Sequence, residues 1–302
     1  MQQLLDGFQS ALNPHSPEAA AAAALAWALF IGAALIFIAV MALMVLAFRS
    51  RPRWLAQQQV VVWGGVALPV VVLTVLLVYS ATTGVPSEAR GPPALRIEVI
   101  GHQWWWRVRY LDAVGALDFE TANEIRLPVG RSVELALSSA DVLHSFWVPN
   151  LAGKLDMIPG RVNRLTFTPA TAAVFRGQCA EYCGGPHAQM ALYVVTQPAD
   201  AFEQWRNDQR RPAVAADRTF ESHCAVCHTV RGSSARGTAG PDLTHVGGRI
   251  SIGAGVLPSD AGQLARWIAS SQHVKPGNLM PEFREFTRAE LDGLAAYLAG
   301  LR

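Results

Sequence analysis

Cys179-Ala180-Glu181-Tyr182-Cys183-Gly184-Gly185-Pro186-His187-Ala188-Gln189-Met190 places two thiols, an imidazole and a thioether within twelve residues. A donor set this soft suits copper. A mononuclear blue-copper site uses one cysteine. Two cysteines four apart can instead bridge two metal ions, with His187 and Met190 as terminal ligands. Zinc also takes Cys and His, but a thioether argues against it. Balance requires another histidine, and Asp141-Val142-Leu143-His144-Ser145-Phe146-Trp147 supplies His144 at a strand end. A disulfide is the plain alternative for a cysteine pair in an oxidising compartment, and the extra ligands beside this pair weigh against it.

Outward from this cluster, residues Ala94 to Pro198 break into short pieces rich in Val, Ile, Phe and Trp. Turns such as Pro128-Val129-Gly130 and Pro159-Gly160 separate them. This pattern predicts an antiparallel sandwich or barrel. The charged stretch Trp205 to Arg211, followed by Pro212, reads as a linker.

Beyond the linker the period changes. Ser259-Asp260 opens a helix that puts Leu264, Trp267 and Ile268 on one face, and Thr287-Arg288-Ala289-Glu290 is a capping box before Leu291, Leu294 and Leu298. Within this small helical domain, Cys224-Ala225-Val226-Cys227-His228 is a c-type haem attachment sequence. Two thiols at this spacing at a helix start can add to both vinyl groups, and His228 then faces the iron. The candidates for the sixth ligand are His245, His273 and Met280. Met280 is favoured, because a loop methionine after such a motif is a common axial ligand. The turn Gly240-Pro241-Asp242-Leu243 resembles the one that packs against the haem edge in small cytochromes c, which implies that the Pro241 carbonyl accepts the His228 N–H.

Toward the N-terminus, residues Ala19 to Phe48 and Val60 to Ser80 contain no charged side chain. Both exceed the roughly 20 apolar residues that a membrane helix needs. Buried core helices are the alternative, disfavoured by that length. Pro69 is expected to kink the second span. The loop Arg49-Ser50-Arg51-Pro52-Arg53 is basic, so it belongs on the cytoplasmic side and both termini on the outer side. The first eighteen residues lack a basic n-region, so no separate cleavable signal is expected ahead of the first span. Gly84-Val85-Pro86 to Gly91-Pro92-Pro93 reads as a linker. The segments are therefore 1–81 with two spans, 94–198 with the sulfur cluster, and 217–302 with the haem motif. The formal net charge of +2 selects no nucleic-acid partner.

Gly101-His102-Gln103-Trp104-Trp105-Trp106, the His144 segment, Lys154 to Arg161 and the Cys179 to Met190 cluster together resemble subunit II of cytochrome c oxidase. The added haem motif resembles the caa-type oxidases, whose subunit II carries a fused cytochrome c. The resemblance implies a membrane-anchored multidomain chain: a two-helix transmembrane hairpin, an all-β cupredoxin-like sandwich, and an all-α class I cytochrome c domain. It implies a binuclear CuA centre bridged by Cys179 and Cys183. His144 and His187 cap one copper each, Met190 completes one and the Glu181 carbonyl the other. The Glu181 carboxylate would reach a magnesium ion at the subunit I interface. Trp104 matches the aromatic residue where electrons enter.

The implied function is electron entry to an oxidase: haem c to CuA to haem a in subunit I, where oxygen is reduced. Implied partners are subunit I with haem a and CuB, subunit III, and an upstream donor, either a cytochrome c or a quinol–cytochrome c reductase. The implied location is the bacterial inner membrane, with the metal domains on the periplasmic side. A CuA-containing nitric oxide reductase subunit and a stand-alone membrane-anchored electron carrier are the alternatives. A quinol oxidase subunit is excluded, because that class lacks the copper ligands. One departure is clear. Many family members carry a glutamate where this chain has Val62, so that proton role does not carry over.

From Ala94 to Pro198, nine Lys or Arg balance nine Asp or Glu, and Asp112, Asp118, Glu120 and Glu124 form only a sparse acidic group. A neutral copper domain gives little long-range steering to a free cytochrome. The fused haem domain is therefore expected to be the normal donor.

Overall fold

The computed structural model describes residues 9–50, 57–83, 93–213 and 216–302. The basic loop at Arg51, Pro52 and Arg53 and most of the linker, from Gly84 to Pro92, lie outside the described residues.

Two compact units are present, one spanning Ala22–Gly91 and the other Met1–Ala21 with Pro92–Arg302. The first holds the apolar helices. Helix α1 runs Pro17–Ser50. The second span comprises α2 (Gln58–Val62), a π-helical turn (Trp63–Ala67) and α3 (Leu68–Thr83). Mean hydropathy reaches 3.0 and 2.6 in the two spans. Pro69 lacks an N–H and its ring crowds the preceding turn. The widened turn lies just ahead of it, as π-bulges do where the regular ladder is interrupted.

The larger unit begins with the residues that lead into α1. The His15 N–H donates to the Asn150 carbonyl at 2.7 Å and the Ala170 N–H to the His15 carbonyl at 2.8 Å. The Thr168 N–H donates to the Glu18 carboxylate at 3.2 Å.

Ten strands then form two five-stranded sheets. The first has the order β3-β2-β1-β5-β8, from β1 (Leu95–His102), β2 (Trp105–Leu111), β3 (Leu117–Ala122), β5 (Val133–Ser139) and β8 (Asn163–Phe167). The second has the order β4-β10-β9-β6-β7, from β4 (Glu124–Pro128), β6 (His144–Trp147), β7 (Leu155–Met157), β9 (Ala173–Cys179) and β10 (Ala191–Gln197). Alternate residues of β1, β2 and β5 are buried, the period of a strand with one face in a core. Ile97, Val99, Trp106, Leu135 and Phe175 fill the space between. The β1–β5 and β4–β10 pairs are parallel and the other pairs antiparallel. The fold is a cupredoxin-like sandwich.

The segment read as a linker is instead helix α4 (Ala199–Arg210). Phe202 and Trp205 are one turn apart, so both face the sandwich. Phe202 is fully buried, and the Trp205 ring meets Tyr110 and Phe119 edge-on at 5.4 and 5.6 Å. Its charges are used locally. Asp118 accepts from Arg206 at 2.9 Å and from Arg210 at 2.7 Å. Burial pushes the Asp118 carboxyl up, but the two guanidiniums outweigh it and hold it below its ordinary value.

The C-terminal domain holds α5 (Arg218–His223), α6 (Ala261–Val274) and α7 (Arg288–Gly300), with a small hairpin of β11 (Ser251–Ile252) and β12 (Leu257–Pro258). Asp260 caps α6 through the Gln263 N–H, and Thr287 with Glu290 forms the capping box of α7. Phe220, Leu264, Ile268, Leu294 and Leu298 make its core.

Phe202→Ala should cost about 3–5 kcal/mol, the usual price of an aromatic core truncation, read by denaturant unfolding in detergent. Asp118 adds stability that is present at neutral pH and lost as pH falls through its depressed pKa. Asp118→Asn should therefore weaken the fold at pH 7 and flatten its loss toward acid.

Candidate redox site: two loops on one interface

Strand β9 ends at Cys179 and β10 begins at Ala191, so the whole sulfur-rich segment is a loop at one end of the second sheet. The loop is tied down at both ends. The Cys179 N–H donates to the Met190 carbonyl and the Ala180 N–H to the Ser145 carbonyl, both at 2.9 Å. The register pairs Phe146 with Cys179, which brings the fully buried His144 beside the loop.

The donor atoms converge. The Cys179 and Cys183 sulfurs are 3.7 Å apart. His144 Nδ1 lies 3.8 Å from the Cys179 sulfur and His187 Nδ1 lies 3.4 Å from that of Cys183. The Met190 sulfur is 3.9 Å from Cys183, and the Glu181 carbonyl is 3.2 Å from the Cys179 sulfur. Among the described residues, His144, Cys179 and Cys183 form the one metal-competent cluster.

The sulfur separation is far longer than the roughly 2.05 Å of a disulfide. It is shorter than two metal–thiolate bonds of about 2.3 Å laid end to end, so one ion can touch both sulfurs. The six donors fit a copper pair.

The surroundings orient the ligands. His144 Nε2 lies 2.8 Å from an Asp141 oxygen. A carboxylate only accepts, so that nitrogen carries the proton and Nδ1 turns its lone pair to the sulfurs. Burial raises the Asp141 pKa, but bonds from His144 and from the Gln103 and Val142 N–H groups outweigh it and keep the carboxyl ionised. The hydrogen bond between the two sulfurs pulls Cys179 down to about 3 and pushes Cys183 up. Gly101 matters by its lack of a side chain, since a Cβ there would lie 2.7 Å from His144 Cδ2.

Trp104 is half-buried, in the turn between β1 and β2. Its indole N–H donates to the Cys183 carbonyl at 2.9 Å, and the Gln103 amide donates to the same oxygen at 2.9 Å. Trp105 and Trp106 alternate, the second fully buried.

The haem-attachment residues do not open a helix, as the sequence suggests. Helix α5 ends at His223 and the motif follows in tight turns, with the Cys227 and His228 N–H groups donating to the Cys224 carbonyl at 3.1 and 2.9 Å. The turns leave both thiols and the imidazole on one wall of a cavity of about 430 Å³. His228 Nδ1 donates to the Pro241 carbonyl at 2.9 Å, leaving Nε2 unprotonated. Burial lowers the His228 pKa, favouring the neutral ligand form, and pushes Cys224 up to about 11. Met280 lines the same cavity. His245 does not, since its Nε2 bonds the Arg211 carbonyl at 3.0 Å, and His273 is exposed outside it. Gly240 is another close approach, where a Cβ would lie 2.5 Å from His228 Cε1. The mostly apolar walls and the thiol–thiol–imidazole set fit a covalent haem.

The two sites share an interface. Gln103, Trp104 and Trp105 of the sandwich line the cavity that holds Cys224, His228 and Met280. The Ala191 N–H donates to the Ala254 carbonyl at 2.9 Å, the Ile250 N–H to Glu124 at 2.7 Å, and Arg107 to the Thr238 carbonyl at 2.6 Å.

The model of the cytochrome c oxidase subunit II periplasmic domain matches residues 115–197, and that of cytochrome c matches residues 213–302. Cytochrome c oxidase subunit 2 of Alkalihalophilus pseudofirmus is 32% identical over 250 residues, covering 78% of this chain and 71% of the relative. The chain belongs to the cytochrome c oxidase subunit 2 family. The same subunit of Bacillus sp. strain PS3 is 30% identical over 270 residues, covering 80% of this chain and 74% of the relative. Among solved structures, the periplasmic domain of subunit II of cytochrome oxidase from Bradyrhizobium japonicum is 30% identical. It covers 40% of this chain and 96% of its own, with a TM-score of 0.37. The chain is thus a subunit II with a fused cytochrome c domain, part of a haem–copper oxidase, and membrane-anchored. Its two domain types imply haem c and copper.

Sequence reading missed Asp141 and Gln103 as supporting residues. Asp141 has a local signal, a carboxylate three residues before a candidate ligand histidine.

Gly101→Ala should displace His144 and lower bound copper while covalent haem stays. Gly240→Ala should do the reverse. Metal analysis and the haem absorbance of the purified chain check both.

Proposed function

We propose that this chain is the electron-entry subunit of its oxidase, relaying electrons from haem c through a two-copper centre to haem a of subunit I. Bound haem c and the copper pair each supply one-electron chemistry, and the protein's task is to hold them close and dry. The observation that carries the reading is the shared interface, where Trp104 bonds the Cys183 carbonyl on one side and lines the haem cavity on the other.

In this reading Cys179, Cys183, His144, His187, Met190 and the Glu181 carbonyl would hold the coppers. The Glu181 side chain makes only a 3.3 Å contact with the Tyr182 N–H, so a magnesium site there needs further ligands from subunit I. Cys224 and Cys227 would hold the haem covalently, and His228 and Met280 would supply its iron ligands. The residues ahead of α1 are bonded to the sandwich, which supports both termini lying on the outer side of the inner membrane. Subunit I is a partner by family, with subunit III and an upstream cytochrome or quinol–cytochrome c reductase proposed beside it.

The fused domain is the normal donor in this proposal. Of the sparse acidic group, Asp118 is taken by Arg206 and Arg210, Glu120 by Arg107 and Arg109, and Glu124 by Arg126. Little free acidic surface remains to steer a soluble cytochrome, and a tether removes the need for it.

Electron paramagnetic resonance of the assembled chain should show one unpaired electron shared by two copper nuclei. Cys183→Ser should abolish that signal and leave the haem absorbance unchanged. An isolated single Cu(II) spectrum, or zinc, would sink the copper reading. Met280→Ala should lose the sulfur-to-iron band and lower the haem potential; persistence of the band would assign another ligand. Flash-reduced haem should pass its electron to copper at a rate nearly independent of salt, whereas strong salt dependence would point to a docking donor.

A further inference from the structure

The chain has 25 Lys and Arg, and only Lys154 and Lys275 are lysines. Lys154 is exposed. Lys275 is 2% exposed. It follows the last residue of α6, lies between the haem-bearing domain and the sandwich, and lines the haem cavity. Its ammonium donates to the Trp104 carbonyl at 2.6 Å and to the Gly253 carbonyl at 3.0 Å, one acceptor from each domain. Among the described residues no carboxylate pairs with it, and burial draws its pKa down to about 7.

Its two acceptors come from different domains, so both bonds are made only while the two domains present their carbonyls together. A compact ammonium with three donors suits carbonyls that converge from different directions, whereas the planar guanidinium fork used elsewhere in this chain suits carboxylates.

The same loop is braced toward both metal-binding loops. The Gln189 amide, next to Met190, donates to the Val274 carbonyl at 3.2 Å. The Asn278 amide donates to the Lys275 carbonyl at 2.8 Å and its oxygen accepts the Met280 N–H at 2.9 Å. The connection thus runs from Met280 through Asn278 and Lys275 to the Trp104 carbonyl, and from the Trp104 indole to the Cys183 carbonyl.

We propose that Lys275 is the positioning residue that latches the haem-bearing domain onto the sandwich and fixes the Met280 loop against Trp104. The proposal deepens the relay reading above and rests on it for its functional consequence.

The first test uses the intact assembled protein and an amine-reactive acetylating reagent, with the two lysines separated by peptide mass spectrometry. Lys275 should react at least about tenfold more slowly than Lys154, because its labelling waits for local opening. The second uses Lys275→Met, which keeps the length and removes the charge. Amide exchange at Ala191 and Ile250, whose N–H groups cross the interface, should quicken by about tenfold or more. Flash-initiated transfer from haem to copper should slow by at least about tenfold and become salt-dependent, since small misplacements cost this much. The copper spectrum should stay as in the parent. Equal labelling of the two lysines, or a Lys275→Met chain with parental exchange and transfer, overturns the latch. If the variant does not accumulate, the labelling of the parent protein decides. A parent chain that lacks haem or copper defeats the relay reading instead, and labelling and exchange still report on the latch.

Discussion

The carbonyl of Cys183 is the point to which the rest of this architecture refers. It accepts from the Trp104 indole and from the Gln103 amide, while the sulfur of the same residue lies among the proposed copper ligands. A main-chain oxygen moves only with its loop, and this loop is held between β9 and β10 by the Cys179 and Met190 backbone pair. Trp104 is therefore set by sheet register rather than by its own rotamer alone. The requirement that an aromatic ring sit against the sulfur loop and also face the C-terminal domain explains why β1 and β2 turn where they do.

The electrostatics follow from how the two domains meet. Most charged side chains of the sandwich are spent within it or across the interface. Arg107 bonds both Glu120 and the Thr238 carbonyl, and Glu124 bonds both Arg126 and the Ile250 N–H. Exposed pairs of this kind add little stability each. Partly buried at an interface, they exclude alternative orientations, because a shifted domain would leave them unpaired. Such an interface needs no long-range field to assemble, since the tether already supplies a high effective concentration. It is the reverse of a surface built for a diffusing partner, where unpaired charge sets the encounter rate.

Val62 stands immediately before the π-helical turn at Trp63–Ala67. An apolar side chain there neither donates nor accepts a proton.

The motifs were legible because their ligands are local. Cys179 to Met190 and Cys224 to His228 each lie within one loop, so spacing alone limits what they can bind. The apolar spans, the Asp260 cap of α6 and the capping box of α7 were equally legible, since membrane length and end-capping chemistry are properties of short segments. Helix α4 was not, because its one-turn Phe202 and Trp205 pair is diluted by charges that read as solvated linker. Only the sandwich beneath shows that Arg206 and Arg210 are bonded to Asp118. That Met280 lines the haem cavity and His245 does not is visible only in space. Lys275 was invisible for the deepest reason. A lysine in a loop is almost always solvated, and it is buried here only because two domains far apart in sequence close over it. Sequence determined which chemistry this chain carries, since the cysteine motifs are short-range. Tertiary structure brought His144 and Met280 to them and decided how the two sites face each other, since that depends on contacts between residues far apart in the chain.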